Sequence, residues 1–268
     1  MAKERLDVLL VDKNLFESRE QAQRAIMAGE ILVNDIRITK AGTKVSDDAD
    51  IRYTGKNLPY VSRGGLKLKK AIDSFSIDFN EKIILDVGAS TGGFSDCALK
   101  HGAKKVYSVD VGYGQLAWSL RSDPRVVVME RTNARELDLD MFQEKLDIIT
   151  MDVSFISITK ILPQFPDLIN DDGLIITLIK PQFEAGRENV GKKGVVKDPD
   201  IHISVIKNIV NEAEKLGLYA IKLDYSPIKG PEGNIEFLLL LDTGDKVEVD
   251  EKTIEQIVQE SQEMASQI

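Results

Sequence analysis

The sequence predicts an α/β fold, in which a parallel sheet ends in an antiparallel hairpin and is preceded by a small α+β domain. From residue 83 onwards, short apolar strands alternate with segments of helical periodicity, as in a parallel sheet covered by helices. The last two predicted strands, Tyr219–Ser226 and Ile235–Leu241, flank a glycine-containing turn, and strands connected in this way pair antiparallel. The first 56 residues instead combine two short helical patterns with short strands.

Length and composition exclude several classes of protein. The 268 residues suffice for one full α/β domain and a small one. Two histidines and one cysteine leave almost no material for a His/Cys metal site or a disulfide framework, so we expect no metal. No apolar run approaches the roughly 18 residues of a membrane span, and residues 1–12 lack the pattern of a signal peptide. We therefore expect a soluble cytoplasmic protein.

Composition also predicts how the chain is divided. The predicted segments are a small domain (1–56), a linker (57–62), the α/β domain (63–245) and a polar tail without assigned function (246–268). Residues 1–70 hold 14 Lys/Arg and 10 Asp/Glu, whereas residues 71–268 hold 21 and 34. This distribution fits a nucleic-acid-binding module joined to an acidic enzyme, and it fits ordinary scatter equally well.

The N-terminal segment carries clear helix and turn signals. Ser18 stands where a helix N-cap is expected, with Gln21 three residues later, and Gly29 ends the second helix. A turn at Asn34-Asp35 separates the first two strands. The predicted strands are Glu30–Asn34, Ile36–Ile38 and Asp50–Tyr53.

A second glycine-containing segment opens the α/β domain. Residues 63–71, RGGLKLKKA, turn through two glycines into a helix. Lys67 lies in the first turn of that helix, where a cation opposes the helix dipole. This unfavourable placement indicates a functional use of Lys67, although plain surface charge is the alternative.

A glycine-rich turn follows the first strand of the sheet. The apolar strand Ile83–Leu85 ends at Asp86, and the turn leads into a helix. Glycines let the backbone approach a ligand closely, and a helix N-terminus offers free N–H groups. We expect ligand contacts at Asp86, Gly88, Ser90, Thr91, Gly92, Gly93 and Phe94. Because the spacing matches neither the dinucleotide pattern nor a P-loop, a tight turn without a ligand is the alternative.

The next strands place further polar residues at the same edge of the sheet. The second strand ends at Asp110, a carboxylate placed to bind a ribose diol, and Val111 follows it. A polar loop with Asn133, after the third strand at residues 125–130, would lie beside an adenine. Asp86 would repel a phosphate. These residues therefore suit S-adenosylmethionine, which carries an amino group, a sulfonium and a ribose but no phosphate.

The fourth and fifth strands bring a carboxylate and a lysine to this edge. The fourth strand ends at Asp152, and the fifth, Leu174–Ile179 after a turn at Asp171–Gly173, ends at Lys180. Burial of an unpaired lysine costs several kcal/mol, so its position indicates a functional role for Lys180. Glu236 opens the last apolar strand, where it is either exposed at the strand end or held by a lysine.

The segment Ala185–Pro199 is rich in glycine and lysine and lacks periodicity. It is either a mobile lid over the site, which we favour, or a long loop. An amphipathic helix, Ile201–Leu216, follows it.

The N-terminal motifs resemble the S-four-type (alpha-L) RNA-binding domain. The residues that match its pattern S-R-x-x-A-x-x-x-I-x-x-G-x-V-x-V-N are Ser18, Arg19, Ala22, Ile26, Gly29, Val33 and Asn34, with Ile31 at a usual valine. The resemblance implies RNA contacts for Arg5, Arg19 and Arg24, and we add Arg63 at the start of the next domain. A solvated polar face would explain the same arginines without RNA.

Residues 60–242 resemble the FtsJ-type ribose 2′-O-methyltransferases, which have the Rossmann-like class I methyltransferase fold. The motifs are S-R-G-G-x-K-L, D-V-G-A-S-T-G-G-F, M-D-V-S-F-I-S and K-P-Q-F-E. With the N-terminal domain, the chain resembles the TlyA (hemolysin A-like) family of ribosomal RNA 2′-O-methyltransferases. The resemblance implies S-adenosylmethionine as methyl donor, ribosomal RNA or ribosomal subunits as partner, and neither membrane nor DNA binding. It implies the catalytic set Lys67, Asp152, Lys180 and Glu236, with Lys69 or Lys70 as alternatives to Lys67.

The chemistry of ribose methylation suits this set. A ribose hydroxyl is a poor nucleophile and needs a base. Burial and a second lysine nearby favour a neutral Lys180 that can accept a proton, while Asp152 and Glu236 orient the lysines. Two alternatives remain at this point. One is a membrane-active cytolysin, against which the absence of a strongly amphipathic basic helix argues; the other is a non-catalytic RNA-binding protein on the same fold.

Overall fold

The computed structural model describes residues 3–13, 15–16, 18–55 and 59–267, without the side chains of residues 266–267. The chain divides into two compact units, residues 1–58 and 59–268. Residues 56–58, where the predicted linker 57–62 begins, lie outside the described residues.

The N-terminal unit packs two helices against small antiparallel sheets. Its elements are β1 (Lys3–Arg5), α1 (Leu6–Asp12), α2 (Arg19–Met27), β2 (Ile31–Val33), β3 (Ile36–Ile38), β4 (Lys44–Ser46) and β5 (Ile51–Tyr53). Strand β2 pairs with β3 and β5, and β1 pairs with β4. Leu6, Leu10, Ile26 and Ile31 are fully buried in its core. This small α+β unit is the one predicted.

Local signals shape this unit as predicted. The hydroxyl of Ser18 accepts a hydrogen bond from the N–H of Gln21, which caps α2. Gly29, with a φ of 72°, ends the helix in the left-handed region. Asn34 and Asp35 have φ values of 49° and 65°, as a two-residue hairpin turn requires.

The C-terminal unit alternates strands and helices. Its elements are α3 (Gly64–Phe75), β6 (Ile83–Val87), α4 (Gly93–Lys100), β7 (Lys105–Asp110), α5 (Trp118–Arg121), β8 (Val126–Glu130), β9 (Leu146–Met151), α6 (Phe165–Leu168), β10 (Ile169–Ile179), α7 (Pro181–Glu184), α8 (Pro199–Glu214), β11 (Tyr219–Tyr225), β12 (Phe237–Asp242) and α9 (Glu251–Gln267). The strands form one sheet in the order β11-β12-β10-β9-β6-β7-β8. Strands β8, β7, β6, β9 and β10 are parallel, and β12 is antiparallel to its two neighbours. The predicted fold class is confirmed.

Apolar side chains cover both faces of this sheet. Neighbouring residues of one strand enter different clusters, because side chains alternate along a strand. Leu85 and Ile149 belong to one cluster with residues of α8 and α9, whereas Ile84 and Ile148 belong to another with residues of α3 and α4. The sheet is thus the middle layer of the unit, and polar groups collect at its edges.

The orientation of the strands decides where functional residues meet. The parallel strands β6, β7, β9 and β10 all end at one edge, so the segments after Val87, Asp110, Met151 and Ile179 are neighbours. Strand β12 runs the other way, and its first residue Phe237 pairs with Ile179. The start of β12 therefore lies at the same edge.

Two elements differ in extent from the sequence-based expectation. Strand β10 begins at Ile169, so Asp171–Gly173 lie within the strand, at an irregularity in its register with β9, and the predicted separate turn is wrong. In the predicted polar tail, α9 buries Ile254 and Val258 against the unit. Among the described residues, no helix combines the length and apolarity needed to cross a bilayer.

Candidate active site

Four ionisable side chains meet at the carboxyl edge of the sheet: Lys67 from α3, Asp152 after β9, Lys180 after β10 and Glu236 before β12. The ammonium nitrogen of Lys67 lies 2.7 Å from Glu236 and 3.3 Å from one oxygen of Asp152. The ammonium nitrogen of Lys180 lies 2.5 Å from the other oxygen of Asp152. The cluster is therefore a row of alternating charges in the order Glu236, Lys67, Asp152, Lys180.

The cluster is largely withdrawn from solvent. Lys67 and Lys180 are each 8% exposed, and Glu236 is 1% exposed. Burial lowers the pKa of Lys67, but the charges of Asp152 and Glu236 outweigh it and hold that pKa above its ordinary value. Burial raises the pKa of Glu236, although the charge of Lys67 opposes the rise. Glu236 is held by a lysine and not exposed at the strand end.

The structure also distinguishes Lys67 from its two neighbouring lysines. Lys69 pairs with Asp73 on the exposed side of α3. Lys70 lies 3.1 Å from Asp224. Of the three lysines, Lys67 is the one that contacts Asp152.

The loop that follows Asp152 packs closely against the glycine-rich turn. A Cβ atom at Gly88, whose φ is 82°, would lie 2.5 Å from the carbonyl oxygen of Asp152. Only glycine permits this approach and this backbone conformation. Ser154, two residues further on, accepts a hydrogen bond of 2.9 Å from the Lys180 ammonium group. The turn, the loop and the cluster therefore form one contiguous site.

Two cavities open from this site and share four lining residues: Gly88, Ser90, Asp152 and Ser154. The larger cavity, of about 580 Å³, is also lined by Val87, Val109, Asp110, Val111, Asn133 and Ile156. The smaller cavity, of about 320 Å³, is also lined by Arg63, Lys67, Thr91, Gly93, Phe94 and Lys180. The cluster thus stands where an apolar cavity with a few polar groups meets a basic one.

The carboxylate of Asp110 organises the larger cavity. It accepts hydrogen bonds of 2.7 Å from the N–H groups of Ser90 and Gly112. These bonds tie the glycine-rich turn to the end of β7. Asn133 caps a short 3₁₀ turn at Ala134–Glu136, which also borders the cavity.

Two of the predicted ligand residues, Asp86 and Gly92, line neither of the two cavities. Asp86 is 1% exposed and lines neither cavity; it accepts hydrogen bonds from the hydroxyls of Ser95 and Thr150. Burial raises the pKa of Asp86 to about 6. Gly92 faces α5, where a Cβ atom would collide with Leu120. The structure does not support the predicted ligand contacts of Asp86 and Gly92, because both residues contact protein groups behind the glycine-rich turn.

One exposed aromatic residue beside the cluster was not among the predicted site residues. Phe155 is 91% exposed and has a φ of 65°, the left-handed region that bulky residues rarely adopt. Its ring centroid lies 5.1 Å from that of Phe183. Glu184 holds the same loop by accepting hydrogen bonds from the Ser157 hydroxyl and the Ile158 N–H. The motif M-D-V-S-F-I-S contains Phe155, but no sequence pattern reveals its exposure.

The predicted RNA-binding arginines of the N-terminal unit surround a buried carboxylate. Arg5 and Arg19 lie 2.9 Å and 3.0 Å from Asp7, which is fully buried, and both arginines remain half-exposed. Hydrogen bonds led by that from Arg5 hold the pKa of Asp7 well below its usual range. Arg24 is exposed. In the C-terminal unit, Arg63 is exposed beside the smaller cavity.

Comparisons with known proteins cover both units. A family described as FtsJ-like methyltransferase matches residues 60–243, and the S4 domain family matches residues 4–51. A Bacillus subtilis protein named "Putative rRNA methyltransferase YqxC" is 52% identical over 240 residues, which are 89% of this chain and 85% of the relative. The Mycobacterium tuberculosis "16S/23S rRNA (cytidine-2'-O)-methyltransferase TlyA" is 42% identical over 89% of this chain and 90% of the relative.

A solved structure, "Putative hemolysin from Streptococcus thermophilus", has a TM-score of 0.79 and 43% sequence identity. The match covers 100% of this chain and 98% of that one. Proteins named as methyltransferases and as hemolysins are therefore both similar to this chain.

Proposed function

The chain belongs to the FtsJ-like methyltransferase family, and we propose that it transfers the methyl group of S-adenosylmethionine to a ribose 2′-hydroxyl of ribosomal RNA. The observation that carries this proposal is the row of alternating charges formed by Lys67, Asp152, Lys180 and Glu236 where two cavities meet. The name of the M. tuberculosis relative, an rRNA (cytidine-2'-O)-methyltransferase, supports the same substrate class.

The larger cavity suits the methyl donor. Its valine and isoleucine side chains offer an apolar surface for an adenine, and Asp110 lies at the strand end where a ribose diol is bound in related sheets. Asn133 offers a polar group at the same cavity, and Gly88 leaves the space that a side chain would fill. When bound, S-adenosylmethionine supplies an electrophilic methyl group on a sulfonium.

Lys180 is the proposed base for the acceptor hydroxyl. As the 2′-oxygen forms its bond to the methyl carbon, the carbon–sulfur bond breaks and its electron pair stays on sulfur. In this proposal the hydroxyl proton passes to Nζ of Lys180, which must release one of its own protons before it can accept another. Asp152 and Ser154 hold this amine in place, while Lys67 and Glu236 fix Asp152 from the other side. Positioning of the two reacting groups supplies much of the rate in such an in-line displacement.

Phe155 is the proposed stacking partner of the target base. A ribose inside a helix cannot reach a recessed cluster unless its nucleotide turns out of the stack, and splayed bases stack on exposed aromatic rings. Phe155 presents such a ring next to Ser154, supported by Phe183. Its strained backbone supports this role, because unfavourable conformations are found preferentially at functional sites.

The N-terminal unit is the proposed RNA-binding module. Its S4 domain match and its exposed arginines support contacts with phosphates. Asp7 pre-orients Arg5 and Arg19, which limits the side-chain entropy lost on binding. Ribosomal RNA and ribosomal subunits are cytoplasmic, so the proposal includes a cytoplasmic location.

Methyl transfer from tritiated S-adenosylmethionine to purified ribosomal subunits tests the proposed function. We expect incorporation into RNA, and 2′-O-methylcytidine after digestion to nucleosides. Label in protein, label on a base, or no label with either subunit would contradict the proposal. Leakage from liposomes at the same protein concentration would instead favour the membrane-active alternative.

A further inference from the structure

A basic loop of residues 186–197, the basic hairpin, follows the short helix α7 after β10. Between Gly186 and Lys197 the chain carries four cationic side chains and a single acidic one, Glu188. The four are Arg187, Lys192, Lys193 and Lys197, all exposed. Within the described part of the chain, none of them forms an ion pair. Because residues 71–268 as a whole hold 21 basic and 34 acidic residues, this segment is a local reversal of charge.

Two backbone hydrogen bonds close the tip of the hairpin. The N–H of Gly191 donates to the carbonyl of Val195 at 3.1 Å, and the N–H of Gly194 donates to the carbonyl of Gly191 at 2.8 Å. Lys192 and Lys193 occupy the turn between them. The two ammonium groups therefore project from the same short turn.

A buried asparagine anchors the returning arm. Asn234, 1% exposed, accepts a hydrogen bond of 2.9 Å from the N–H of Val196 and donates one of 2.8 Å to the carbonyl of Gly194. The ring of His202 bonds to the carbonyl of Val196 at 3.1 Å. Asn234 lies two residues before Glu236, so the hairpin is tied to the strand that supplies the catalytic cluster. These hydrogen bonds anchor the returning arm, and the mobile lid favoured from the sequence stays a prediction.

The other arm borders the aromatic site. Gly186, Arg187 and Val190 line a cavity of about 460 Å³ together with Phe155 and Phe183. The basic hairpin thus stands beside the surface proposed to receive the target base.

From these contacts we propose that Lys192 and Lys193 form a fixed phosphate-binding tip that engages the RNA backbone flanking the target nucleotide, an inference that rests on the function proposed above. Lysines bind phosphates as point charges and release counterions on doing so. Anchoring of Gly194 and Val196 by Asn234 reduces the ordering that this arm must undergo when RNA binds, which preserves part of the electrostatic gain.

Binding of the full chain to in vitro-transcribed 23S ribosomal RNA, with S-adenosylhomocysteine present, tests the proposal. The tip variant is the double substitution Lys192→Gln/Lys193→Gln. The control variant, Lys246→Gln/Lys252→Gln, removes the same charge. Both control lysines are exposed and follow the end of β12 that pairs with Leu174, at the opposite edge of the sheet. We expect the tip variant to bind the RNA about tenfold more weakly at 0.1 M salt. The slope of the logarithm of its binding constant against the logarithm of the salt concentration should fall in magnitude by about 1.4. The control is expected to bind like the unmodified protein.

Equal affinity of the tip variant and the unmodified protein would overturn the proposal, as would an equal loss in the control variant. A loss seen with intact ribosomal subunits but not with naked RNA would assign the tip to a ribosomal protein instead. Methyl transfer to RNA ribose by the unmodified protein, measured in parallel, separates this result from the proposed function, which fails if that transfer is absent.

Discussion

The ammonium nitrogen of Lys67 lies 2.7 Å from a carboxylate oxygen of Glu236, a side chain that is 1% exposed. Removal of one partner of a buried ion pair leaves the other charge without compensation. Because Lys67 also contacts Asp152, which holds Lys180, the effect of a change at Glu236 reaches the proposed base through the row of charges.

Glu236→Gln preserves the shape of the side chain and removes its charge. We expect turnover to fall about 100-fold, since the alignment of Lys67 and Asp152 is lost. The dissociation constant of S-adenosylmethionine, measured by calorimetric titration, should stay nearly constant. Glu232→Gln, at an exposed position on the preceding turn, is the matched control. A large loss of cofactor affinity in Glu236→Gln would place Glu236 in donor binding instead.

Lys180→Ala removes the proposed base. We expect cofactor binding to persist and methyl transfer to be abolished, because no other group is assigned to take the hydroxyl proton. Single-turnover transfer of tritiated methyl to ribosomal subunits measures this. Lys160→Ala, which removes an exposed lysine in the segment between β9 and α6, should retain activity. Methylation by Lys180→Ala would disprove the assignment.

Phe155→Gly is expected to stabilise the fold and to weaken RNA binding. Glycine adopts a φ of 65° without strain, so we expect the variant to gain about 1 kcal/mol of unfolding free energy. Loss of the ring should raise the KM for RNA about tenfold, given the usual strength of base stacking on aromatic rings. Phe155→Trp, which keeps a ring, should restore RNA binding. If both variants have the KM of the unmodified protein, Phe155 does not contact the base.

Asp86→Asn tests the buried carboxylate behind the glycine-rich turn. Its folded-state pKa of about 6 lies above the ordinary value of 3.8, so its favourable contribution is fully present below pH 3.8 and is lost as pH rises through 6. The asparagine variant should therefore be more stable than the unmodified protein at pH 7, by about 2 to 3 kcal/mol. This difference should vanish below about pH 4.

Urea unfolding followed by the fluorescence of Trp118, the single tryptophan, reports on the unit that contains Asp86. Asp245→Asn removes an exposed carboxylate of the same unit and serves as control. A stability gain in Asp86→Asn that stayed constant from pH 4 to pH 7 would mean that ionisation of Asp86 is not its cause.

Local sequence patterns predict the helices and strands of the fold. Because parallel strands end at one edge of a sheet, the strand ends also predict which polar residues lie close together. The predicted bounds of β9, Leu146–Met151, agree with the structure because a continuous apolar run fixes a buried strand. Asp110, Asp152 and Lys180 followed from strand ends alone. The role of Asp86 could not be read from the sequence, because its partners Ser95 and Thr150 come from other elements.

Other features depend on contacts between distant segments. Nothing local distinguishes Lys67 from Lys69, since the choice is made by Asp152 on another strand. The exposure of Phe155 depends on one backbone angle that the motif does not encode. Likewise, the partners that hold Val196 in the lysine-rich segment, Asn234 and His202, come from later elements.

Because β12 comes late in the sequence, the site can be completed only late in the synthesis of the chain. This strand is the last of the sheet in sequence, yet it lies between β10 and β11. Until residues 237–242 have been made, β11 has no partner and β10 has one open edge, and open strand edges promote association between chains. Glu236 directly precedes this strand and is therefore made just before it. A nascent chain therefore gains its complete sheet and its full set of charges together, and a copy interrupted earlier has neither.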